Sequence, residues 1–157
     1  MSINVSIVRA GESNQQTFET TITGLDLFGE DRSIVAMKLN GETKDLAHEV
    51  ADGDLIEPIE ISSEEGLAIL RHSAGHVTAQ ALQQIFTEAK LGIGPPITDG
   101  YYYDFQVDPL TPDDLKSIEK QMTRIIKEKQ RFVRRVVSDE QAREELAAEP
   151  FLSLIHI

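Results

Sequence analysis

The chain has 157 residues and a mass of 17.5 kDa, room for one ordinary domain or two very small ones. Its 40% hydrophobic and 27% charged residues are an ordinary globular balance, which excludes disorder of the whole chain. It has no cysteine, hence neither a disulfide framework nor a thiolate nucleophile; no apolar run approaches the ~18 residues of a membrane span; and a formal net charge of −12 is not that of the usual nucleic-acid binder.

Residues 3–8, Ile-Asn-Val-Ser-Ile-Val, alternate as a half-buried strand does. Gly11 to Gln16 reads as a turn, and Thr17–Thr23 as a second strand rich in Thr, Phe and Ile. Gly24 to Arg32 has room for at most about two helical turns. Ile34–Leu39 is a strand, and Asn40-Gly41 predicts a tight hairpin with a return strand over 42–46, because both turn positions need positive φ. Asp52-Gly53-Asp54 is a turn, and Leu55–Ile61 a final strand in which Pro58 marks a sheet edge.

At Ser62 the texture changes. Ser62 as N-cap with Glu65 three residues on fits a capping box, and the helix runs to about Glu88. Gly92-Ile-Gly-Pro-Pro ends it; Asp99-Gly100 is a hairpin turn leading into a strand over 101–107. Thr111, with Pro112 and two acids behind it, caps a further helix carrying Leu115, Ile118, Met122, Ile125 and Ile126 at helical spacing. Residues 132–137 read as a strand, and Ser138 caps a last helix that Pro150 ends.

Charge is unevenly placed. Residues 1–62 hold 4 basic and 12 acidic side chains. Residues 116–135 hold eight basic ones (Lys116, Lys120, Arg124, Lys127, Lys129, Arg131, Arg134, Arg135) against Glu119 and Glu128. This stretch can meet a phosphate backbone; a solvated helix face is the alternative. The N-terminus puts no basic head before an apolar core, so it does not read as a secretory signal and a cytoplasmic protein is expected. The tail Leu152–Ile157 completes no element and resembles the translated transposase end sequence of sequencing libraries. It is expected to be adapter-derived rather than a native strand, which sets His156 aside.

The chemistry concentrates in Arg71-His72-Ser73-Ala74-Gly75-His76. Histidines at i and i+4 share a helix face and can converge on one metal ion, one water or one ester. Leu67, Leu70, Ala74, Val77, Ala81 and Ile85 fall in one apolar stripe, and the two histidines point roughly 140–180° from Leu67, which predicts a cleft or second layer for them. Gly75 between them weakens the helix by about 1 kcal/mol and admits a ligand or backbone closely. The residue after His72 is Ser73, not the glutamate of a zinc-protease helix, and His48 lies in the other domain, so a self-contained zinc site is not expected. Ser73 has no nucleophile elbow around it.

The block Arg-His-Ser-Ala-Gly-His followed by Ile-Gly-Pro-Pro-Ile-Thr-Asp-Gly-Tyr-Tyr-Tyr-Asp-Phe closely resembles the start of the editing domain of bacterial threonyl-tRNA synthetases. The strand-rich first 61 residues are similar to the TGS domain of that family. The resemblance implies an α+β chain in three parts: a β-grasp TGS-like module over 1–61, the first part of an editing domain over 62–151, and the tail. TGS modules also occur in some GTPases and stringent-response enzymes, but no GxxxxGK[ST] loop is present.

The family attaches threonine to its tRNA with ATP in a domain further along the chain, where ATP, Mg and Zn are expected; no cofactor is expected in this fragment. Its editing domain hydrolyses wrongly attached serine, because one missing methyl is worth only about 1–3 kcal/mol of discrimination. By resemblance His72 and His76 supply positioning and proton transfer, with Asp104 and Ser73 lining the same cleft. The family's second editing motif, CxxxH, is expected beyond this chain, so half a site and an inactive fragment are expected. The implied partner is tRNA, with Lys120, Arg124, Lys127, Arg131, Arg134 and Arg135 as possible contacts, no membrane, and a homodimer only for the full-length enzyme. The alternatives are a stand-alone TGS-type module binding RNA or protein, and a trans-editing aminoacyl-tRNA deacylase.

Overall fold

Two residues with positive φ, Ala10 (53°) and Gly11 (83°), fold the N-terminal segment back on itself. They join β1 (Ile3–Arg9) to β2 (Glu12–Phe18), whose antiparallel register runs from Arg9↔Glu12 to Ile3↔Phe18. Such a two-residue turn matches the twist of the strands it connects. The expected turn over 11–16 is therefore a strand, and the expected strand over 17–23 is divided. The reason lies in burial: Glu-Ser-Asn-Gln-Gln is exposed on both faces at the edge of the sheet, so it carries no apolar alternation.

The computed structural model describes residues 2–131, 133, 135–149, 151 and 152. After β2 come β3 (Ile22–Thr23) and α1 (Gly24–Phe28), which is capped reciprocally by Thr23 and Asp26. A Cβ on Gly24 would lie 2.7 Å from Met37 Sδ, so glycine is what lets this helix approach the sheet. β4 (Ile34–Leu39) turns through Asn40 and Gly41, with φ of 52° and 85°, into β5 (Glu42–Lys44), as the Asn-Gly signal predicts. β6 (Glu49–Val50) pairs with β3, and β7 (Leu55–Glu60) completes a five-stranded mixed sheet of order β2-β1-β7-β4-β5. Only the β1–β7 pair is parallel. Val5, Met37 and Ile56 are its most buried side chains.

β7 is central, so Pro58 does not mark a sheet edge. Asn40 N–H donates to Leu55 C=O, and alternation then turns the peptide groups of Leu55, Glu57 and Ile59 toward β4. Pro58 faces β1, and the β1 pairing stops at Ile7↔Ile56, two residues before the proline that has no N–H to extend it.

Residues up to Leu70 form one compact unit and residues from Arg71 on a second. The division falls inside α2 (Glu64–Ile85), whereas the change in sequence texture falls at 61–63. The N-cap of α2 is Ser63 rather than Ser62: its Oγ accepts Gly66 N–H (3.0 Å) and its C=O accepts Leu67 N–H (2.8 Å). Glu65 closes no box; it pairs with Lys38 Nζ at 2.9 Å.

The second unit continues with β8 (Lys90–Leu91), β9 (Pro96–Ile97), β10 (Gly100–Tyr101), β11 (Phe105–Gln106), α3 (Pro112–Glu128) and α4 (Asp139–Glu145). β9 pairs with β10 and β8 with β11, so the expected continuous strand over 101–107 is interrupted at 102–104. Ile97 pairs with Gly100, which places the turn at Thr98-Asp99, one residue earlier than expected. Thr111 and Ser138 cap α3 and α4 through reciprocal bonds with Asp114 and Gln141. The described residues of 132–137 are not strand; Phe132 and Arg134, like Pro150 and 153–157, lie outside the described residues. α4 ends at Glu145 with Leu146 as C-cap, ahead of Pro150. The core gathers Ala81, Leu82, Ala89, Ile118 and Ile125, with Met122 against it, whereas Leu115 and Ile126 stay exposed. No helix among the described residues is long and apolar enough to cross a membrane.

A Cβ on Gly66 would lie 2.0 Å from Glu60 C=O, a backbone atom that cannot rotate away. Gly66→Ala is therefore expected to lose about 1–3 kcal/mol in denaturant unfolding despite its better helix propensity. An unchanged or raised midpoint would show that the β7–α2 junction yields freely.

Candidate active site

The helix that carries the histidines buries a different stripe from the one the apolar residues suggest. Leu70 and Ile85 are exposed, while Gly75, Ala79, Ala81 and Leu82 are buried. Within the second unit α2 is covered on two sides. Tyr101 and Tyr103 lie over Gly75, and on the α3 side Thr78 Oγ1 lies 3.6 Å from Met122 Sδ. Glycine and alanine line the first side, and small residues announce no hydrophobic face.

His72 and His76 stand on the flank of that buried arc. Their Nε2 atoms are 2.9 Å apart, with ring centroids at 4.6 Å and planes at 78°. One ring donates and the other accepts, the roles exchanging with tautomer. The pair borders a cleft of about 550 Å³ walled by Leu91 to Pro96, Tyr103 and Leu152. That wall is held in shape by backbone: Gly92 N–H donates to Asp104 C=O (2.8 Å) and Asp104 N–H to Ile93 C=O (2.9 Å). A Cβ on Gly94 would fall 2.2 Å from the Tyr103 ring, which stacks on Phe105 at 4.6 Å. Burial, and secondarily the charge of Glu149, raises the Tyr103 hydroxyl above its ordinary value near 10.0.

His76 titrates below the ordinary histidine value of 6.5, first because its surroundings desolvate it and second because a charge on His72 opposes its own. It is therefore neutral at pH 7, a proton acceptor rather than a fixed cation.

The other expected site residues are placed differently. Asp104 follows Tyr103 on the opposite side of the backbone and borders a separate depression with Gly92, Ile93, Phe105, Gln106 and Phe151. Ser73 is half-buried and does not line the histidine cleft. Lys120, Arg124 and Lys127 are exposed on α3, Arg124 pairing with Glu128 at 3.4 Å. Arg135 forms a two-pronged pair with Glu145 (3.3 and 2.7 Å), Arg131 borders a second cleft beside His76, and Arg134 lies outside the described residues. The sequence alone does not single out Tyr103 and Gly94; the Gly-x-Gly-Pro-Pro run is the signal that points to a close backbone approach there. Among the described residues no group of three or more His, Cys, Asp or Glu gathers as for a metal ion.

Two expectations follow from this geometry. A Cβ on Gly75 would meet Tyr103, Tyr101 and Gly94 O at 3.6–3.8 Å, ordinary contact distances. Gly75→Ala is thus expected to raise stability by about 0.5–1 kcal/mol, whereas Gly94→Ala lowers it, as thermal unfolding will show. Removing the neighbouring charge by His72→Ala is expected to move the His76 titration upward in an NMR pH series; a downward or absent shift would show that the two rings do not interact electrostatically.

No protein-family model matches the chain. It is 57% identical over 152 residues to the threonine–tRNA ligase of Cutibacterium acnes, covering 96% of this chain and 22% of that protein. It is 58% identical over 157 residues to that of Streptomyces avermitilis (99% and 24%), and 60% identical over 139 residues to that of Thermobifida fusca (87% and 21%). The chain spans between a fifth and a quarter of the length of these curated relatives. At this identity over nearly all of its residues, the chain belongs to the threonine–tRNA ligase family, as an N-terminal portion of such a sequence.

Proposed function

We propose that residues 1–61 form a TGS-like β-grasp module and residues 62–151 the first part of a domain that hydrolyses serine misattached to the tRNA of a threonine–tRNA ligase. The strand order β2-β1-β7-β4-β5, with a hairpin at either edge and α1 between, supports the first assignment. The 2.9 Å contact between two histidines at the mouth of a glycine- and tyrosine-walled cleft carries the second. Its partner is tRNA. ATP-dependent attachment of threonine belongs to other parts of the longer protein, together with its ATP and metal ions.

Hydrolysis of an aminoacyl ester needs a base for the attacking water and an acid for the departing ribose oxygen. The histidines share one proton between their Nε2 atoms. When Nδ1 of the donating ring takes a proton from water, the shared proton can shift across, leaving the partner ring able to protonate the leaving oxygen. Desolvation first, and then the charge of His72, lowers the proton affinity of His76 and favours its neutral form. Asp104, in its separate depression, shapes the wall through its backbone.

In the full-length ligase, His72→Ala with His76→Ala is expected to slow deacylation of seryl-tRNA by about 100- to 10,000-fold while threonine attachment is preserved. The isolated 157-residue chain is expected to give no threonine-dependent ATP–pyrophosphate exchange. Undiminished deacylation by the double variant would remove the histidine pair from the reaction and leave a binding module as the better reading.

A further inference from the structure

His76 stands between two clefts. Besides the one it shares with His72, it borders a second, of about 320 Å³, between α2 and the end of α3. Its lining includes the apolar Val77, the buried Ile125 and the exposed Ile126, together with the cations Lys129 and Arg131. Lys129 is the C-cap of α3 in the left-handed conformation (φ 51°, ψ 41°), a position usually given to glycine. Its N–H donates to Ile126 C=O (3.2 Å), and a side-chain bond from Gln80 to Gln130 (3.0 Å) ties the following residue to α2. This part of the lining is therefore anchored to the helix that bears the histidines.

The cations of this region differ in what they face. Lys116, Arg124 and Arg135 pair with Asp113, Glu128 and Glu145. Among the described residues Lys129 and Arg131 form no ion pair, and they alone among the cations border the cleft at His76. Two cations beside apolar lining residues suit a ligand that is anionic on one side and flat and apolar on the other, which is the chemistry of a nucleotide in a single strand.

Building on the proposed editing reaction, we propose that this second cleft seats the 3′ end of the acylated RNA, with Lys129 and Arg131 holding a phosphodiester next to the terminal nucleotide while the ester reaches across His76 into the histidine cleft. The chemistry is binding and positioning only: no bond is made or broken by these two residues. A single-stranded end fits where a duplex does not, because the cleft has room for little more than one nucleotide.

The test uses the 157-residue chain and a 5′-phosphorylated CCA trinucleotide, followed by NMR. Addition is expected to shift the amides of residues 129–131 and the His76 ring together. Lys129→Gly removes the charge while suiting the left-handed cap, and with Arg131→Gln it is expected to weaken binding about tenfold at low salt. The same double variant is expected to flatten the slope of log affinity against log salt by about 0.7, because the one phosphodiester these cations hold is no longer neutralised. Lys44→Gln, at a pair with Glu42 in the first unit, serves as the control and is expected to change neither. Equal affinity in the double variant overturns the subsite, as does the absence of any binding. Identical shifts from orthophosphate at the same ionic strength mark a nonspecific anion site and overturn the RNA assignment. Shifts confined to His72 and His76 refute the second cleft yet leave the editing reading standing, whereas that reading fails on its own if the histidine double variant still deacylates seryl-tRNA.

Discussion

Gly92 N–H bonded to Asp104 C=O, and Asp104 N–H bonded to Ile93 C=O, tie the Gly92–Pro96 run to the aromatic segment; everything chemical in the second unit depends on that tie. It sets Tyr103 against Gly94 and both Tyr101 and Tyr103 over Gly75 of the histidine helix. Without these bonds the residues between β8 and β11 would have no ladder to hold them, since each of the two-residue pairs alone is too short to be stable. The histidine cleft is in this sense a cavity beneath a backbone arch. Its glycines at 92 and 94 are required by contact, Gly92 because a Cβ would come within 2.7 Å of Asp104 O.

Sequence reasoning found the elements where one physical signal acts alone. The Asn40-Gly41 hairpin, the Thr111 and Ser138 caps and the strand over 34–39 each follow from a local rule that tertiary packing does not oppose. It failed where two signals compete or where the signal is absent. β2 is polar on both faces because it is an edge, and Ser62 lost the cap to its neighbour because Glu65 is drawn to Lys38. Pro58 sits in a central strand because only half of that strand is paired on both sides. At the site, the pairing of His72 with His76 was legible from spacing, since i and i+4 on a helix must approach. The wall opposite was not, because glycine and tyrosine in an irregular run fit many backbones.

Charge follows location in the same way. The region 116–135 carries eight basic residues, yet several face carboxylates of the same unit. Exposed pairs of this kind contribute little stability and exchange readily with other anions. What distinguishes a cation for ligand binding is then its location, not its lack of a partner alone. Lys120, Lys127, Lys129 and Arg131 are all exposed, but only Lys129 and Arg131 of these border the cleft beside His76, where a phosphate and an apolar surface can be met together.

The form of the histidine contact bears on which chemistry it serves. The two Nε2 atoms lie 2.9 Å apart, so an N–H of one ring can face the lone pair of the other, the roles exchanging with tautomer. One N–H is shared between the two rings, whichever tautomer supplies it. An added proton goes to the free Nδ1 of the donating ring and leaves the contact between the rings in place, while desolvation disfavours a charge on His76. Such a pair can take a proton at one ring and give one up from the other. Ester hydrolysis needs that sequence of events, in that order, and needs it beside a cleft that can hold the ester still.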